Sequence, residues 1–403
     1  MSNKNKIGLL GFGTVGQGFY TYLQQYGEER KVEEIVIKNS EKNRNKHNVK
    51  FTTDTHHLFQ PETDTIVELI SDEEQAYRII KEALQKGKKV VSANKKAIVY
   101  HLEEFIKMEK KFGGRLLYEG AVCGSIPILK IVNDFYRFDN ISEIKGIFNG
   151  TSNYILTQLL TKGISYSEAL QQAKEKGFAE ENPISDVGGY DSLYKLLLLS
   201  AHVYGKLILP NEALNIGIEN ISQNDIFFAK KHGLKIKLLA SVKNVQNEIF
   251  ISVLPALVHQ ESELYGVDNE INGIKIYSEK LGSQFYKGKG AGKLPIGHTV
   301  YSDYKISDGY RYTYDALENR NDFKYSKQNL HLIYSDRIYL LEKHIPDIEF
   351  MSDESGFGYL TTEKLISLKD YLYQHNLSVI ALNEKIKLKI LNASLKHYGC
   401  AFV

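Results

Sequence analysis

The chain has 403 residues, which is longer than one hydrophobic core usually serves, so two or three domains are expected. Its 51 Lys and Arg against 49 Asp and Glu leave a formal net charge of +2, which argues against a nucleic-acid-binding or membrane-surface protein. Cys123 and Cys400 are far apart and match no metal-binding spacing, so neither a disulfide framework nor a zinc site is expected. A small-molecule function is favoured.

The start of the given sequence does not have the pattern expected of a secretion signal. Polar residues 1–6 lead directly into the short apolar run Ile7–Leu10. No apolar run in the sequence approaches the ~20 residues of a membrane span. We therefore expect a cytoplasmic protein that does not associate with membranes.

The first 130 residues alternate strand-like and helix-like runs. Two runs with helical spacing of apolar residues, Glu73–Lys86 and His101–Lys111, end near Gly87 and Gly113, as left-handed helix caps require. This alternation predicts an α/β fold, a Rossmann-type doubly wound parallel sheet, over residues 1–130. Its candidate strands are Ile7–Leu10, Ile35–Lys38, Thr65–Leu69, Val90–Ser92 and Leu116–Glu119.

The pattern changes beyond residue 130, where strands and helices are more segregated. Extended segments run from residue 235 to about 288. We predict an α+β domain for substrate binding and dimerisation over residues 131–320. Before the extended segments lie one strand-like and three helical runs, Ile141–Phe148, Tyr154–Thr161, Ser167–Lys176 and Asp191–Tyr204.

The last segment, residues 321–403, reads as strand, helix, strand, strand, helix, strand. This is a ferredoxin-like order, so a ferredoxin-like module is predicted there. Exposed strand edges favour association, and we expect a homodimer or homotetramer. The six runs are Leu330–Tyr334, Asp336–His344, Ile348–Met351, Phe357–Thr361, Glu363–His375 and Ser378–Leu382.

A glycine pattern follows the first strand directly and precedes a helical run. Gly11 allows a tight turn, Gly13 lets the backbone approach a pyrophosphate, and Gly16 allows close helix–strand packing. Thr14 and Val15 complete this candidate cofactor-binding turn. The alternative is an ordinary Gly-rich turn, but its position after an N-terminal strand favours dinucleotide binding.

The end of the second strand distinguishes NAD from NADP. An acidic residue there would accept the ribose hydroxyl of NAD, but the chain has Lys38 and Asn39, with Arg44 and Lys46 nearby. This basic cluster predicts that NADP is tolerated and preferred over NAD. A solvated basic loop is an equal alternative for Arg44 and Lys46, so Lys38 is the stronger candidate.

Several sequence blocks together resemble homoserine dehydrogenase from residue 6 to about 305. The resemblance implies an NAD(P)-dependent oxidoreductase that interconverts L-homoserine and L-aspartate 4-semialdehyde in threonine and methionine biosynthesis. The blocks are Ser92–Ala97, Tyr118–Pro127, Asn149–Leu156, Gly177–Pro183 and Gly288–Gly292, with Asp186, Gly189, Asp191, Lys195 and Pro295.

The resemblance also implies roles for single residues. In the family, residues matching Glu180 and Asp191 bind the amino acid end of the substrate. The lysine matching Lys195 is the proposed proton donor, and the one matching Lys95 lies between cofactor and substrate. The resemblance further implies Asp186, Thr151 and Phe178 for the substrate, and Ile70, Ser71, Lys95 and Gly292 for the cofactor.

The spacing of Asp191 and Lys195 fits these roles. Residues four apart share one helix face, so both side chains can enter one site. An ammonium group there can stabilise and protonate the alkoxide that forms as the nicotinamide transfers a hydride. The alternative is a surface ion pair, which contributes little energy. For His202, later in the same helix, a satisfied interior or surface histidine is favoured.

The loop after the fifth strand resembles the monovalent-cation site of the family. There Glu119 and the carbonyls of Val122, Gly124 and Ile126 would hold Na⁺ or K⁺, since hard oxygen ligands suit a hard cation. The alternative is that Glu119 caps the following turn. For Thr151 and its two neighbours, the alternative to a substrate role is capping of the next helix.

Some positions depart from the family pattern. Phe178 stands where many members have a tyrosine, which leaves open a dehydrogenase of the same fold for another small aldehyde or hydroxy acid. Residues 336–339 lack the Pro-Gly turn of the family's regulatory ACT domain, so an ACT-like module for assembly is expected rather than threonine control. A catalytically silent nucleotide-binding relative is a further alternative. The retained residues Lys95, Glu180, Asp191 and Lys195 argue against it.

Overall fold

The computed structural model describes residues 6–38, 49–318, 324–345, 347–352 and 354–397. Asn39, Arg44 and Lys46 of the predicted basic cluster lie outside these ranges, as does Cys400. Within the described ranges, no helix is long and apolar enough to span a membrane.

The first part of the chain alternates strands and helices. Helix α3 begins at Lys95 rather than at the predicted His101, because the Asn94 side chain accepts a hydrogen bond from the Ala97 N–H (3.1 Å) and caps it. Its end at Gly113, in the left-handed conformation, was predicted. The elements are β1 Lys6–Leu10, α1 Thr14–Gln25, β2 Glu34–Val36, β3 Lys50–Thr52, β4 Thr63–Glu68, α2 Glu73–Gln85, β5 Lys89–Ser92, α3 Lys95–Phe112, β6 Arg115–Leu117 and α4 Ile128–Lys130.

These strands form a parallel sheet of the Rossmann type. Among the described residues its order is β3-β2-β1-β4-β5-β6, and every neighbouring pair is parallel. Leu9, Val67 and Val91 of three central strands are fully buried in its core. The predicted Rossmann sheet is therefore confirmed. Strand β3 was not predicted from the sequence.

The middle of the chain contains longer antiparallel strands and half of the α-helices that the structure describes. Strands β9 (Leu234–Val245) and β10 (Glu248–His259) form a hairpin. Its turn residues Gln246 and Asn247 have positive φ (53° and 66°), as a tight two-residue turn requires. The elements are β7 Ile141–Ile147, α5 Gly150–Lys162, α6 Tyr166–Glu175, α7 Ile184–Val187, α8 Tyr190–Tyr204, β8 Leu214–Asn215, α9 Gln223–Lys231, β9 Leu234–Val245, β10 Glu248–His259, β11 Ile271–Ser278, β12 Gly282–Lys289, α10 Lys293–Ile306 and α11 Asp315–Glu318.

The C-terminal part differs in detail from the predicted helices. The segment Ile338–His344 is a 3-10 helix, in which the buried Ile338 and Leu341, three residues apart, lie on one side. The second predicted helix is divided at Leu368, whose ψ is −4°. The elements are β13 Lys324–Tyr325, β14 Leu330–Ser335, β15 Ile348–Phe350, β16 Gly356–Thr361, α12 Thr362–Ser367, α13 Lys369–Gln374, β17 Ile380–Ala381 and α14 Glu384–His397.

These later strands belong to a second sheet, so the chain has a second α/β region. In the described residues its order is β12-β11-β7-β9-β10-β17-β14-β16-β15, with β8 and β13 also paired to β10. The C-terminal strands join it where β17 pairs with β10, at Ala381 and Ala256. A separate apolar core that includes Ile333, Leu365 and Leu372 lies under this end of the sheet.

Packing divides the chain into two units. The first comprises residues 1–138, 197–209 and 288–321, and the second residues 139–196, 210–287 and 322–403. Helix α8 contributes residues to both. The three predicted domain ranges, 1–130, 131–320 and 321–403, stay a prediction.

Candidate active site

Asn149 brings two acidic side chains together in the second unit. It follows β7 and caps α5, since its Oδ1 accepts a hydrogen bond from the Ser152 N–H (2.7 Å). Its Nδ2 donates to Oδ1 of Asp186 (2.7 Å) and to Oδ2 of Asp191 (2.9 Å). One amide group thus fixes both carboxylates at the start of α5.

Lys195 belongs to the same cluster. Its Nζ lies 2.6 Å from Oδ2 of Asp191 and donates to the Phe148 carbonyl oxygen at 2.8 Å. Only 11% of the Lys195 side chain and 9% of the Asp191 side chain are exposed. The pair is buried rather than on the surface. Asn272 Nδ2 donates to the same Phe148 oxygen (3.1 Å), which orients that acceptor.

The other predicted substrate residues lie on α5 and on the loop after α6. Thr151 Oγ1 donates to the carbonyl oxygen of Phe178 (2.7 Å), and the Phe178 and Tyr154 rings pack with their centroids 5.0 Å apart. Thr151 lies inside the first turn of α5, whose cap is Asn149. Glu180 lies exposed in the loop. Phe178 is therefore hydrogen-bonded to α5, whereas Glu180 is exposed to solvent.

Asn149 had no predicted role, although it is the first residue of the family block Asn149–Leu156. An asparagine between a strand and a helical run is a typical helix cap, and this signal could have identified the capping. The bonds to Asp186 and Asp191 connect residues 37 and 42 positions apart, so no local pattern indicates them.

The glycine turn has the geometry of a dinucleotide-binding loop. Gly11 has φ +97°, and its N–H donates to the Val36 carbonyl (2.9 Å). A Cβ on Gly16 would lie 2.3 Å from the Gly11 oxygen, so α1 packs closely on the end of β1. Gly13 and Thr14 are exposed at the N-terminus of α1, and Val15 is half-buried. A helix N-terminus of this kind favours a phosphate group.

Three further predicted cofactor residues lie near the ends of β2 and β4. Lys38 is 82% exposed, and its Nζ lies 3.7 Å from Oδ2 of Asp72, the cap of α2. Ser71 is exposed. Ile70 is partly buried, and its carbonyl accepts a hydrogen bond from Asn94 Nδ2 (3.0 Å). Gly292 lies elsewhere in the first unit, exposed at the N-terminus of α10.

A buried carboxyl group ties the loops after β4 and β5 together. Glu68 accepts hydrogen bonds from Ser92 Oγ (2.5 Å) and from the Ile70 N–H (2.8 Å). Burial raises the pKa of Glu68 to about 7, and both hydrogen bonds partly offset this. Asn94 N donates to Ser92 Oγ (3.0 Å), and Lys95 follows as the half-buried first residue of α3. Glu68 and Ser92 had no predicted role.

Glu119 is fully buried at the predicted cation loop. Its two carboxylate oxygens accept hydrogen bonds from the N–H groups of Leu129 (2.8 Å) and Lys130 (2.9 Å). Glu119 thus caps α4, whereas the alternative predicted from the sequence was capping of the turn that follows Glu119. Its own N–H donates to Oδ2 of Asp303 (2.9 Å), and Lys130 Nζ lies 2.7 Å from Asp303 Oδ1. Burial, and next the charge of Asp303, raise the pKa of Glu119 to about 8.

The carbonyl groups of the same loop are close to other donors. Val122 and Ile126 are buried, and the Gly124 oxygen accepts a hydrogen bond from Thr299 Oγ1 (2.7 Å). The Ile126 oxygen accepts one from the Ile128 N–H (2.8 Å). Each carbonyl oxygen has a second lone pair, so these contacts are compatible with cation binding.

His202 is an interior histidine, as favoured from the sequence. Its Nε2 lies 2.7 Å from the hydroxyl of Tyr118, which is 3.0 Å from the Tyr314 hydroxyl. Burial lowers the pKa of His202 to about 3. It is therefore neutral at physiological pH.

A parallel Rossmann sheet with a dinucleotide-type glycine turn defines a nicotinamide-nucleotide-binding oxidoreductase fold. Two family models match the chain: "Homoserine dehydrogenase, NAD binding domain" over residues 11–119 and "Homoserine dehydrogenase" over residues 127–304. The chain belongs to the homoserine dehydrogenase family. This confirms the predicted family and enzyme class.

Individual homoserine dehydrogenases are also similar to this chain. The homoserine dehydrogenase of Helicobacter pylori is 36% identical over 75% of this chain and 73% of its own length. That of Bacillus subtilis is 33% identical over 74% of this chain and 71% of its own length. The crystal structure of a homoserine dehydrogenase from Thiobacillus denitrificans superposes with a TM-score of 0.80 at 26% identity, covering 94% of this chain and 98% of that one.

Proposed function

We propose that this protein catalyses the NAD(P)-dependent interconversion of L-homoserine and L-aspartate 4-semialdehyde. The observation that supports this most is the buried Lys195–Asp191 pair, joined through Asn149 to Asp186. A buried ammonium group held by a carboxylate and a carbonyl can stabilise a developing alkoxide and give it a proton.

Each side chain of the cluster has a chemical part in the proposal. Among the described residues, Asp191 and Phe148 supply acceptors for two of the three N–H groups of Lys195, and the third could donate to a substrate oxygen. Asp186, Asp191 and Glu180 supply carboxylates for the substrate ammonium group. Thr151 and Phe178 shape the adjacent wall through their mutual contact.

The cofactor would be held by residues of the first unit. When bound, a nicotinamide supplies or accepts the hydride. Gly11, Gly13, Thr14, Val15 and Gly16 fit its pyrophosphate, since Gly13 has open space where a Cβ would lie. The exposed ammonium of Lys38 favours NADP, and Ile70, Ser71, Lys95 and Gly292 complete the proposed contacts.

The test is a spectrophotometric assay with homoserine and each nicotinamide cofactor, applied to Lys195→Met and Asp191→Asn. Both substitutions keep the size of the side chain and remove its charge. We expect homoserine oxidation to fall by about 100-fold or more with cofactor affinity unchanged, because the lost interactions are with the reacting oxygen and its neighbours. Lys145→Met, on a half-buried lysine of β7, is the control. Near-normal turnover in both site variants would contradict the proposal.

We also propose that a monovalent cation, Na⁺ or K⁺, binds at Glu119 with the carbonyls of Val122, Gly124 and Ile126. Glu119 and Asp303 are both fully buried, while Lys130 supplies one neighbouring positive charge. Burial and the charge of Asp303 raise the pKa of Glu119 to about 8, and a small cation among oxygen ligands would favour the ionised carboxylate of Glu119.

Melting temperature tests the cation proposal without reference to activity. At equal ionic strength, the melting temperature in NaCl or KCl should be roughly a few degrees higher than in tetramethylammonium chloride. A ligand that binds the folded state stabilises that state. Glu119→Gln should abolish the difference. Equal melting of the wild-type protein in all three salts would exclude the site.

We propose that residues 321–403 are an ACT-like module used for assembly into a homodimer or homotetramer. The neighbour order β17-β14-β16-β15, with antiparallel pairs, supports a ferredoxin-like arrangement. The domain ranges 1–130 and 131–320 are proposed with it. The cytoplasmic location stays a prediction.

A further inference from the structure

A two-glycine turn connects the two acids of the candidate site. Gly188 and Gly189 join α7, which carries Asp186, to α8, which carries Asp191. Gly189 has φ +78°, which favours glycine. The Gly188 carbonyl accepts a hydrogen bond from Asn215 Nδ2 (2.8 Å). The position of this turn therefore determines where both carboxylates lie.

The Glu219 carboxylate packs against the backbone of this turn. A Cβ on Gly188 would lie 3.2 Å from Glu219 Oε1. A Cβ on Gly217 would lie 1.9 Å from Glu219 Oε2 and 2.6 Å from the Gly188 Cα. Such close approach leaves little freedom for Glu219 to move without moving the turn.

Helix α13 of the C-terminal region contacts the same place. The Tyr373 hydroxyl donates to Glu219 Oε1 (3.4 Å). Lys369 Nζ donates to the hydroxyl of Tyr190 (3.1 Å) and lies 4.9 Å from the centre of its ring. Tyr190 is the first residue of α8, directly before Asp191. Tyr190, at one end of the turn, thus contacts α13 directly, and Gly188, at the other end, is connected to α13 through Glu219.

A backbone clamp fixes α13 in this position. Asn220 Nδ2 donates to the carbonyl oxygens of Leu372 and Leu377, both at 3.1 Å. Leu372 and Leu377 are buried in the core of the C-terminal region. The contacts of Lys369 and Tyr373 are therefore made from a fixed helix.

We infer that α13 is a positioning element for the active site, in which Lys369 and Tyr373 act through Tyr190 and Glu219 on the turn at residues 188–189. Both residues lie beyond residues 127–304, the range that the family model matches. The inference rests on the proposed function, which assigns the substrate to Asp186 and Asp191. It gives the C-terminal region a role in substrate binding besides assembly.

The experiment combines steady-state kinetics with hydrogen exchange on the full chain. The variants are Lys369→Met, which removes the ammonium, and Tyr373→Phe, which removes one hydroxyl and leaves the packing intact. Lys369→Arg tests rescue, and Lys343→Met, on an exposed lysine of the same region, is the control.

We expect kcat/KM for homoserine to fall about tenfold in both variants, mainly through a higher KM, with the cofactor KM unchanged. The Leu193 amide, which bonds to the Gly189 carbonyl (3.0 Å), should exchange about tenfold faster. Lys369→Arg should restore both values. If Lys369 and Tyr373 had only a structural role, the variants would be less stable, but the KM for homoserine would not rise while the KM for the cofactor stays unchanged.

The hydrogen-exchange measurement distinguishes a failure of the positioning role of α13 from a failure of the proposed function. If the wild-type protein does not oxidise homoserine but the variants exchange faster at Leu193, the positioning stands and the proposed function falls. Unchanged exchange at Leu193 in both variants, with kcat/KM equal to that of the control, would overturn the inference.

Discussion

Asn149 shows how one side chain can organise a site made from distant segments. It caps α5 with its oxygen and holds Asp186 and Asp191 with its nitrogen. The two carboxylates repel each other, and a shared donor offsets part of that repulsion. The amide is thus as important for the geometry as the charged residues that the family pattern identifies.

Asn149→Ala should lower kcat/KM for homoserine by about 100-fold, because hydrogen bonds to charged groups contribute about 1.5–3 kcal/mol each. Cofactor affinity should not change. Steady-state kinetics and cofactor titration measure both quantities.

Asn140→Ala is the matched control, since Asn140 is an exposed asparagine that donates to Glu279 (2.9 Å). If Asn149→Ala is as active as Asn140→Ala, Asn149 does not hold the substrate carboxylates in a productive position.

At the scale of elements, α1 and α10 pack backbone against backbone. A Cβ on Gly18 would lie 1.9 Å from the Lys293 carbonyl oxygen, and one on Gly297 would lie 2.5 Å from the Gly18 carbonyl carbon. Helices approach this closely only where both surfaces lack side chains. The contact fixes the helix that begins with the glycine turn.

Gly18→Ala should destabilise the protein by about 2 kcal/mol or more, although alanine is the better helix former, because the added methyl group overpacks the interface. Denaturant unfolding measures the change in the free energy of unfolding. Gly309→Ala is the control, since beyond its two chain neighbours no described residue has a heavy atom within 4 Å of the position that its Cβ would take. Equal stability of the two variants would show that the α1–α10 contact can open without cost.

Elements were predicted well where periodicity is strong. The strands of the first sheet and the helix at residues 190–204 follow from apolar spacing, and the structure has them within a few residues. Strand β3 was not predicted, since a run of three residues carries little periodic signal. The first turns of α3 were not predicted either, because the adjacent apolar residues Ala97, Ile98 and Val99 do not show helical spacing. The 3-10 segment Ile338–His344 also needs tertiary packing, because helix type depends on which side chains are buried.

Over the whole molecule, buried titratable groups set the pH dependence of stability. Burial raises the pKa of Glu68 and Glu109 to about 7, above the ordinary 4.5. Burial lowers the pKa of His202 to about 3 and of His331 to about 4, below the ordinary 6.5. The acids lose stabilising free energy as the pH rises through 7, and the histidines lose it as the pH falls below 6.5.

The free energy of unfolding should therefore fall between about pH 6.5 and about pH 8.5, by about 1 kcal/mol for each of Glu68 and Glu109. Denaturant unfolding at both values, with Glu109→Gln, measures this. The variant should lose about 1 kcal/mol less than the wild-type protein over this interval, because glutamine does not ionise.

Glu103→Gln is the control, since Glu103 is the exposed partner of Lys107 in the same helix. This variant should lose as much free energy of unfolding between about pH 6.5 and about pH 8.5 as the wild-type protein does. If Glu109→Gln loses as much free energy of unfolding over this interval as the wild-type protein, the pKa of Glu109 is not raised.

The sequence by itself determined the Rossmann sheet, the glycine turn and the family, since periodicity and family blocks are properties of neighbouring residues. It also named Asp191 and Lys195, whose spacing places them on one helix face. Only the tertiary structure showed that this pair is buried, that Asn149 joins it to Asp186, and that α13 reaches the turn before α8. Burial and contacts between distant segments depend on how the elements pack, and no local pattern in the chain encodes that packing.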